Sequence, residues 1–211
     1  LPGRDGEIEH GDNPLVIRAE ICYTVGAPKR RRLPYESARA DMSISLVPDV
    51  LLPDYRAVTP DFLQVRGVTL LLCDLDFTLA PKSVRHPDEA VRAWIDSLHA
   101  AGVTVMIVSN NRSGSRVTEF CADLGVPYQG GAGKPSPRGL EAAMARAGAD
   151  RVCTAMLGDK LLTDILAANR AGVLPLMVEP VGGAVTAWQK VLHALQAPFK
   201  AVCRRKMEKK S

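Results

Sequence analysis

The stretch VTLLLCDLDFT, residues 68–78, decides the fold. It begins with an apolar run that ends at Cys73, and such a short run is typical of a strand buried on both faces of a parallel sheet. Asp74 and Asp76 follow at once. Because alternate residues of an extended chain project to the same side, both carboxylates enter one space. The stretch therefore predicts a buried strand that carries a pair of acidic groups at its end.

The sequence that follows alternates between strand and helix patterns. Further apolar strand patterns cover 103–108, 126–128, 152–157 and 173–178, and helical patterns cover 87–101, 115–124, 137–147 and 161–170. A glycine follows each helical pattern, as is common at helix ends. This order predicts an α/β, Rossmann-like three-layer sandwich whose five-stranded parallel sheet is covered on both faces.

Polar residues follow four of the predicted strands. They are Asp74 and Asp76, the run Ser109–Asn110–Asn111, Lys134, and the pair Asp159 and Asp164. A single residue of this kind is as readily explained as a helix cap. In a parallel sheet, however, all the carboxyl ends lie at one edge, which is where active sites form. The whole series therefore predicts one functional site.

The residue types in this series suit phosphoryl transfer. Asp74 can attack phosphorus to form an aspartyl-phosphate, and Asp76 can protonate the leaving oxygen and then activate water. Because the carboxylates would repel a phosphate, the site needs a divalent cation, and Mg²⁺ suits oxygen ligands. Asp159 and Asp164 can supply the rest of this site, one as a direct metal ligand and the other either directly or behind a direct ligand.

Four residues are candidates for binding the phosphate itself. Ser109 and the amide of Asn110 can bind phosphoryl oxygens, and a helix that starts nearby favours anions. Lys134 sets a cation against the nucleophile and the charge that develops. Thr78 can bind the transferred group, or its hydroxyl can serve only as a cap of the turn.

Four motifs carry a family resemblance: DLDFT at 74–78, SNN at 109–111, KP at 134–135 and GDKLLTD at 158–164. In this order and spacing they resemble the haloacid dehalogenase (HAD) superfamily. The runs LLPDY at 51–55, LGVP at 124–127 and NRAG at 169–172 resemble its subclass IIIA, the YqeG-like phosphatases, which include phosphatidylglycerophosphate phosphatases of mitochondria and plastids.

The resemblance implies a Rossmann-like fold, Mg²⁺ dependence and phosphatase activity. It also implies that Asp74 is the nucleophile and Asp76 the acid and base. The implied metal ligands are Asp74, the backbone carbonyl of Asp76, Asp159 and Asp164, the last either directly or behind a direct ligand. Two positions depart from the subgroup. Phe77 stands where Asn is commoner, and Lys160 stands where Gln is often found.

The segments in which this superfamily inserts cap domains are short here. Residues 78–88 and 129–133 are too few for a domain, so no cap is expected and the site should be open. An open site admits macromolecules or lipid head groups presented at a membrane. Lys82, Arg85 and His86 flank the predicted entrance, where they either hold a second phosphate or are ordinary loop charges.

The two ends of the chain differ from the middle. Residues 1–43 lack lasting periodicity and are predicted to be disordered or outside the core, and 44–184 form the phosphatase domain. The net charge of the chain is +4, yet residues 186–211 alone contain seven Lys or Arg and one Glu. Residues 185–211 are therefore predicted to form a basic amphipathic helix or tail. The predicted apolar stripe consists of Val185, Trp188, Val191, Leu192, Leu195, Phe199 and Val202, and the basic residues, Lys200 among them, are predicted on the other face and at the end. This segment either contacts an anionic membrane or packs on the domain.

The favoured function is the hydrolysis of phosphatidylglycerophosphate to phosphatidylglycerol. One alternative substrate is a soluble nucleotide or sugar phosphate, and an alternative role is that of a catalytically idle HAD-fold binding partner, for instance in ribosome assembly. Five scattered cysteines without a CxxC pair indicate a reducing compartment and no zinc site. A cytoplasmic protein, at most peripheral to the inner face of the membrane, is expected, with no nucleic-acid partner.

Overall fold

The computed structural model describes residues 45–111, 115–182 and 187–208, and for 187–193 only the backbone. The predicted N-terminal segment, 1–43, lies outside these ranges. The strands are β1 Val50–Leu52, β2 Leu70–Cys73, β3 Thr104–Val108, β4 Tyr128–Gln129, β5 Thr154–Gly158 and β6 Leu174–Val178. The α-helices are α1 Pro60–Gln64, α2 Glu89–Ala100, α3 Ser115–Leu124, α4 Arg138–Ala147, α5 Leu166–Ala171 and α6 Ala187–Glu208. Short helical turns occupy Tyr55–Ala57, Arg151–Cys153 and Leu161–Ile165.

The strands form one parallel sheet in the order β1-β6-β5-β2-β3-β4. The predicted α/β class is confirmed, but the predicted count of five strands is wrong, since the sheet has six. The additional strand is β1, which pairs Val50 with Leu176 at the edge of the sheet. Three residues are too few to show a periodic pattern, so this strand was not predicted.

The central strand β2 is buried on both sides. Leu71 and Cys73 belong to one apolar cluster, which includes Trp94 of α2 and Phe120 of α3. Leu70 and Leu72 belong to a second cluster, which includes Leu140 of α4. Because successive strand residues point to opposite faces, the two clusters form the two faces of the sheet. The three-layer prediction is thereby confirmed.

No domain is inserted at either predicted cap position, both of which are fully described. Residues 74–88, between β2 and α2, form a loop with one isolated bridge between Asp76 and Ala80. The segment between β4 and α4 contains no regular element. The N-cap of α2 is Asp88, whose side chain accepts a hydrogen bond from the Val91 amide at 2.9 Å, so the helix starts just after Pro87.

The C-terminal helix α6 packs on the domain through its second half. Phe199 contacts a small cluster formed by Leu161, Ile165 and Met177. Lys200, predicted on the basic face, is instead buried and paired with Glu179 at 2.6 Å. That prediction was wrong because Lys200 shares a face with Gln196 and Cys203, which are buried against the domain, and Glu179 offers it a charged partner there.

The predicted apolar stripe of the C-terminal segment is only partly described. Val185 lies outside the described residues, as do the side chains of Trp188, Val191 and Leu192. Two further members are exposed, Leu195 at 61% and Val202 at 42%, while Gln196 and Cys203 face the domain. Pro198 lies within the helix. Among the described residues, none of the helices has the length and apolar character needed to cross a bilayer.

Candidate active site

The carboxyl ends of the central strands surround a polar cavity of about 380 Å³. Its lining includes Asp74 and Asp76 after β2, Ser109 after β3, Lys134 before α4, and Asp164. The parallel register explains this convergence, because Cys73 is level with Ile107 on one side and Leu157 on the other. The residues that follow these three strands therefore emerge side by side. The structure thus brings the predicted site residues together.

Lys134 is the buried cation of the site. Its Nζ donates hydrogen bonds to Asp74 Oδ1 and to the Val108 carbonyl, both at 2.8 Å, and lies 2.7 Å from Asp164 Oδ1. Burial by itself would lower the pKa of the ammonium, but the carboxylates of Asp164 and Asp74 raise that pKa above its usual value. Lys134 is therefore charged and fixes one oxygen of Asp74.

Asn110 holds the backbone of Lys134. Its side-chain Nδ2 donates to the Lys134 carbonyl at 2.8 Å, and its Oδ1 accepts from the Lys134 amide at 2.8 Å. This reciprocal pair ties the end of β3 to the loop before α4. The side chain of Asn110 thus positions Lys134. The group of Asn110 that could bind phosphate is the backbone amide, and that role stays a prediction.

Asp74, Asp159 and Asp164 form a buried carboxylate cluster. One oxygen from each lies within 4.8 Å of the others. Burial raises the pKa of Asp159 to about 7, with Lys160 opposing the shift and Asp164 and Asp74 adding to it. Burial also raises the pKa of Asp164. The surrounding side chains therefore offset only part of the cost of burying the two negative charges.

Gly158 allows this cluster to pack. A Cβ atom at Gly158 would lie 2.3 Å from the Cβ and 2.6 Å from Oδ2 of Asp164. In the structure, Asp164 Oδ2 accepts a hydrogen bond from the Lys160 amide at 3.1 Å. A side chain at position 158 would therefore push Asp164 out of the cluster.

Arg116, at the start of α3, holds Asp76. Its Nη1 contacts Asp76 Oδ1, its Nε donates to the Val84 carbonyl at 2.6 Å, and its Nη2 donates to the Pro81 carbonyl at 2.9 Å. Arg116 is not among the residues predicted from the sequence. It is one of many arginines, and no motif marks it, so only the packing of α3 against the loop after β2 reveals the contact.

The sequence profile of the haloacid dehalogenase-like hydrolases matches residues 36–172. The chain belongs to this family. It is 32% identical over 135 residues to "Probable phosphatase YqeG" of Bacillus subtilis (strain 168), covering 64% of this chain and 78% of that protein. It is 29% identical over 143 residues to the chloroplastic phosphatidylglycerophosphate phosphatase 1 of Chlamydomonas reinhardtii. The match covers 64% of this chain and 53% of that longer protein.

Among solved structures, the 3-deoxy-D-manno-octulosonate 8-phosphate phosphatase of Yersinia pestis aligns with a TM-score of 0.43 at 16% identity. That alignment covers 70% of this chain and 89% of the other. The family prediction made from DLDFT, SNN, KP and GDKLLTD is confirmed by the profile and by the YqeG relative. The prediction of an enzyme is confirmed as well: the chain is a hydrolase whose curated relatives carry phosphatase names.

The donor set of this hydrolase fits a divalent cation. Asp164 Oδ1 is fully buried and accepts no hydrogen bond of normal geometry, although Lys134 Nζ is 2.7 Å away. A buried carboxylate oxygen without a hydrogen-bond donor calls for another partner. Three buried carboxylates within reach of one another are the kind of hard oxygen donors that Mg²⁺ prefers.

Thr78 and Phe77 lie beside the cluster. Thr78 is fully buried, and its hydroxyl donates to Asp159 Oδ1 at 3.3 Å, so it orients a carboxylate. Its predicted contact with phosphate is not tested by this bond.

Phe77 has a φ of 68°, a left-handed conformation that is unfavourable for a bulky side chain. Asn tolerates that conformation better than Phe does.

The three cations of the predicted entrance have different partners. Arg85 forms two hydrogen bonds to Glu119, at 3.0 and 2.9 Å, and His86 Nδ1 lies 2.7 Å from Asp123 Oδ2. Both are thus paired with α3 carboxylates. Lys82 lines the cavity, with its Nζ 4.0 Å from Asp76 Oδ2 and its side chain mostly exposed. Of the three, Lys82 is the one placed to meet a substrate.

Proposed function

We propose that this hydrolase is a Mg²⁺-dependent phosphatase that cleaves a phosphomonoester through an aspartyl-phosphate on Asp74. The observation that carries the proposal is the setting of Asp74. One of its oxygens is held by Lys134 at 2.8 Å, and the residue lines the open polar cavity beside Asp76. A fixed carboxylate that faces such a cavity has the orientation that a nucleophile needs.

In the first step, an Asp74 oxygen bonds to phosphorus as the bond from phosphorus to the leaving oxygen breaks. Asp76 gives its proton to that oxygen. In the second step, Asp76 takes a proton from water, whose oxygen bonds to phosphorus and releases Asp74. Arg116 engages Asp76 Oδ1 and leaves Oδ2 for these transfers. Bound Mg²⁺, held by Asp74, the Asp76 carbonyl, Asp159 and Asp164, would neutralise the charge of the phosphate.

Ser109 and the backbone amide of Asn110 are proposed to receive the phosphoryl oxygens. Ser109 is buried at the rim of the cavity, and its Oγ accepts a hydrogen bond from the Asn111 amide at 3.2 Å. That bond fixes the oxygen of the hydroxyl while its hydrogen stays free to be donated. Lys134, beside them, supplies the positive charge.

For the substrate we propose phosphatidylglycerophosphate. The absence of an inserted cap between β2 and α2, where every residue is described, leaves room for a head group still attached to its lipid. The exposed side of α6 presents Leu195 and Val202 together with Arg204, Arg205 and Lys206. Apolar and basic groups on one helix favour contact with an anionic bilayer, to which each cation contributes about 1 kcal/mol. The name of the Chlamydomonas relative agrees with this choice.

The proposal is tested by presenting phosphatidylglycerophosphate in anionic vesicles beside a panel of soluble nucleotide and sugar phosphates. Truncating α6 would be a poor control because Phe199 and Lys200 are packed on the domain. The matched variant replaces Arg204, Arg205 and Lys206 by Gln. We expect vesicle binding to weaken about a hundredfold, with p-nitrophenyl phosphate hydrolysis unchanged.

Three results separate the alternatives. Preferred hydrolysis of the lipid, lost in the triple variant, supports the lipid substrate. Preferred hydrolysis of a soluble phosphate, unaffected by the variant, favours the nucleotide or sugar phosphate instead. An inactive protein in every assay, with and without Mg²⁺, would favour the idle binding partner.

A further inference from the structure

Lys160 contacts the same oxygen groups that are proposed to hold the metal. Its Nζ donates to Asp159 Oδ1 at 2.7 Å and to the Asp76 backbone carbonyl at 3.3 Å. It also lies 3.8 Å from Asp74 Oδ2. One ammonium thus touches an oxygen of each of the three residues. The other metal candidate, Asp164, is paired with Lys134 instead.

A divalent cation bound to oxygens of these same three residues would have to take the place that Lys160 Nζ now occupies. Two like charges a few ångströms apart among buried carboxylates repel each other, and the repulsion rises with the charge of the metal. The number of charges leads to the same conclusion. Metal binding requires ionised carboxylates, and Asp74, Asp159 and Asp164 in that form, with the Lys134 and Lys160 paired to them among the described residues, carry one net negative charge. Adding a divalent cation makes the set positive, and removing Lys160 as well makes it neutral.

The aromatic ring of Phe77 lies near the Lys160 ammonium and can bind it once it is displaced. The ring centroid lies 5.6 Å from Lys160 Nζ, within the range of cation–π attraction. The Lys160 side chain is about a third exposed, so it has room to leave the cluster.

We propose that Lys160 competes with the divalent cation for the oxygens of Asp74, Asp76 and Asp159, and thereby weakens metal binding. Lys160 must leave these oxygens when the metal enters. The inference deepens the proposed function and rests on its metal site. It makes Lys160 a positioning residue that sets how much Mg²⁺ the enzyme needs.

The test measures Mg²⁺ binding to the full chain by isothermal titration calorimetry, without substrate. Lys160→Met keeps the length and apolar stem of the side chain and removes its charge. We expect it to bind Mg²⁺ about tenfold more tightly than the unchanged chain, because no ammonium has to be displaced. Lys160→Arg keeps the charge and should bind no more tightly than the unchanged chain.

Lys82→Met is the matched control. It removes an equal charge from the same cavity, but the carboxylate with which Lys82 pairs is that of Asp76, whose Oδ2 lies 4.0 Å from Lys82 Nζ, and not one of the buried cluster. A general loss of positive charge would tighten binding equally in both variants, whereas competition predicts the larger gain for Lys160→Met. The second readout is the Tm. In EDTA, Lys160→Met should melt below the unchanged chain, and Mg²⁺ should raise its Tm by the larger amount.

The outcomes separate this inference from the function on which it rests. Equal or weaker Mg²⁺ binding by Lys160→Met, while the unchanged chain binds Mg²⁺, overturns the competition and leaves the proposed function standing. Absence of Mg²⁺ binding in every variant, with an intact fold, overturns both. Tighter binding by Lys160→Met alone supports both.

Discussion

The guanidinium of Arg116 joins the carboxylate of Asp76 to the loop that follows it. One Nη contacts Asp76 Oδ1, and the other nitrogens hold the carbonyls of Pro81 and Val84. The contact spans 40 residues of sequence and links α3 to the loop after β2. The acid and base of the proposed reaction is thus oriented by a residue that belongs to none of the four motifs.

Arg116→Gln should lower kcat about a hundredfold with little change in KM. Asp76 would lose its orientation, and a positioned acid and base contributes at least about that factor. Steady-state kinetics with p-nitrophenyl phosphate measure both constants. Arg146→Gln is the control, because Arg146 also binds a backbone carbonyl, that of Tyr128, away from the cavity. Equal kcat values for the two variants would contradict the role of Arg116.

Lys134→Met should destabilise the fold as well as remove activity. It would leave the buried Asp74 and Asp164 without their shared cation, and breaking a buried ion pair costs about 3–5 kcal/mol. Urea unfolding measures the loss of free energy. Lys82→Met, which removes an exposed cation of the same cavity, should change stability by less than about 1 kcal/mol. A Lys134→Met protein as stable as the control would refute the buried network.

Gly158→Ala should weaken Mg²⁺ binding and lower the Tm. The added methyl would lie 2.3 Å from Asp164 Cβ, so the carboxylate must move. Gly130→Ala is the matched control, since a methyl there meets its neighbours at 3.5 Å, which is ordinary contact. Calorimetric Mg²⁺ titration and thermal melts of both variants test the prediction. Unchanged metal binding in Gly158→Ala would show that Asp164 is not a ligand.

The central site could be predicted from the sequence because its geometry follows from the sheet. The apolar run before Asp74 identifies a buried strand, and parallel strands bring their carboxyl ends to one edge. That single rule was enough to bring Asp74, Lys134 and Asp164 together. The strand count failed at β1, whose three residues carry too little pattern and whose pairing with β6 depends on long-range packing.

The supporting contacts could not be predicted. Asn110 supports Lys134 through a side chain that the sequence marks only as a polar residue at a strand end. The docked face of α6 was also missed. Gln196 and Lys200 are buried on one side of the helix, and Lys200 is paired there with Glu179. Such partners lie far apart in the chain, and residue spacing within one helix does not reveal them.

The central claim is that Asp74 is the nucleophile, and the hydrolysis of p-nitrophenyl phosphate by Asp74→Asn in saturating Mg²⁺ tests it most directly. The change keeps the size of the side chain and a carbonyl oxygen for Lys134 but removes the nucleophilic carboxylate. A thermal melt and circular dichroism confirm that the variant is folded. The proposed mechanism predicts no detectable turnover by the folded variant. Turnover at the rate of the unchanged enzyme would contradict it.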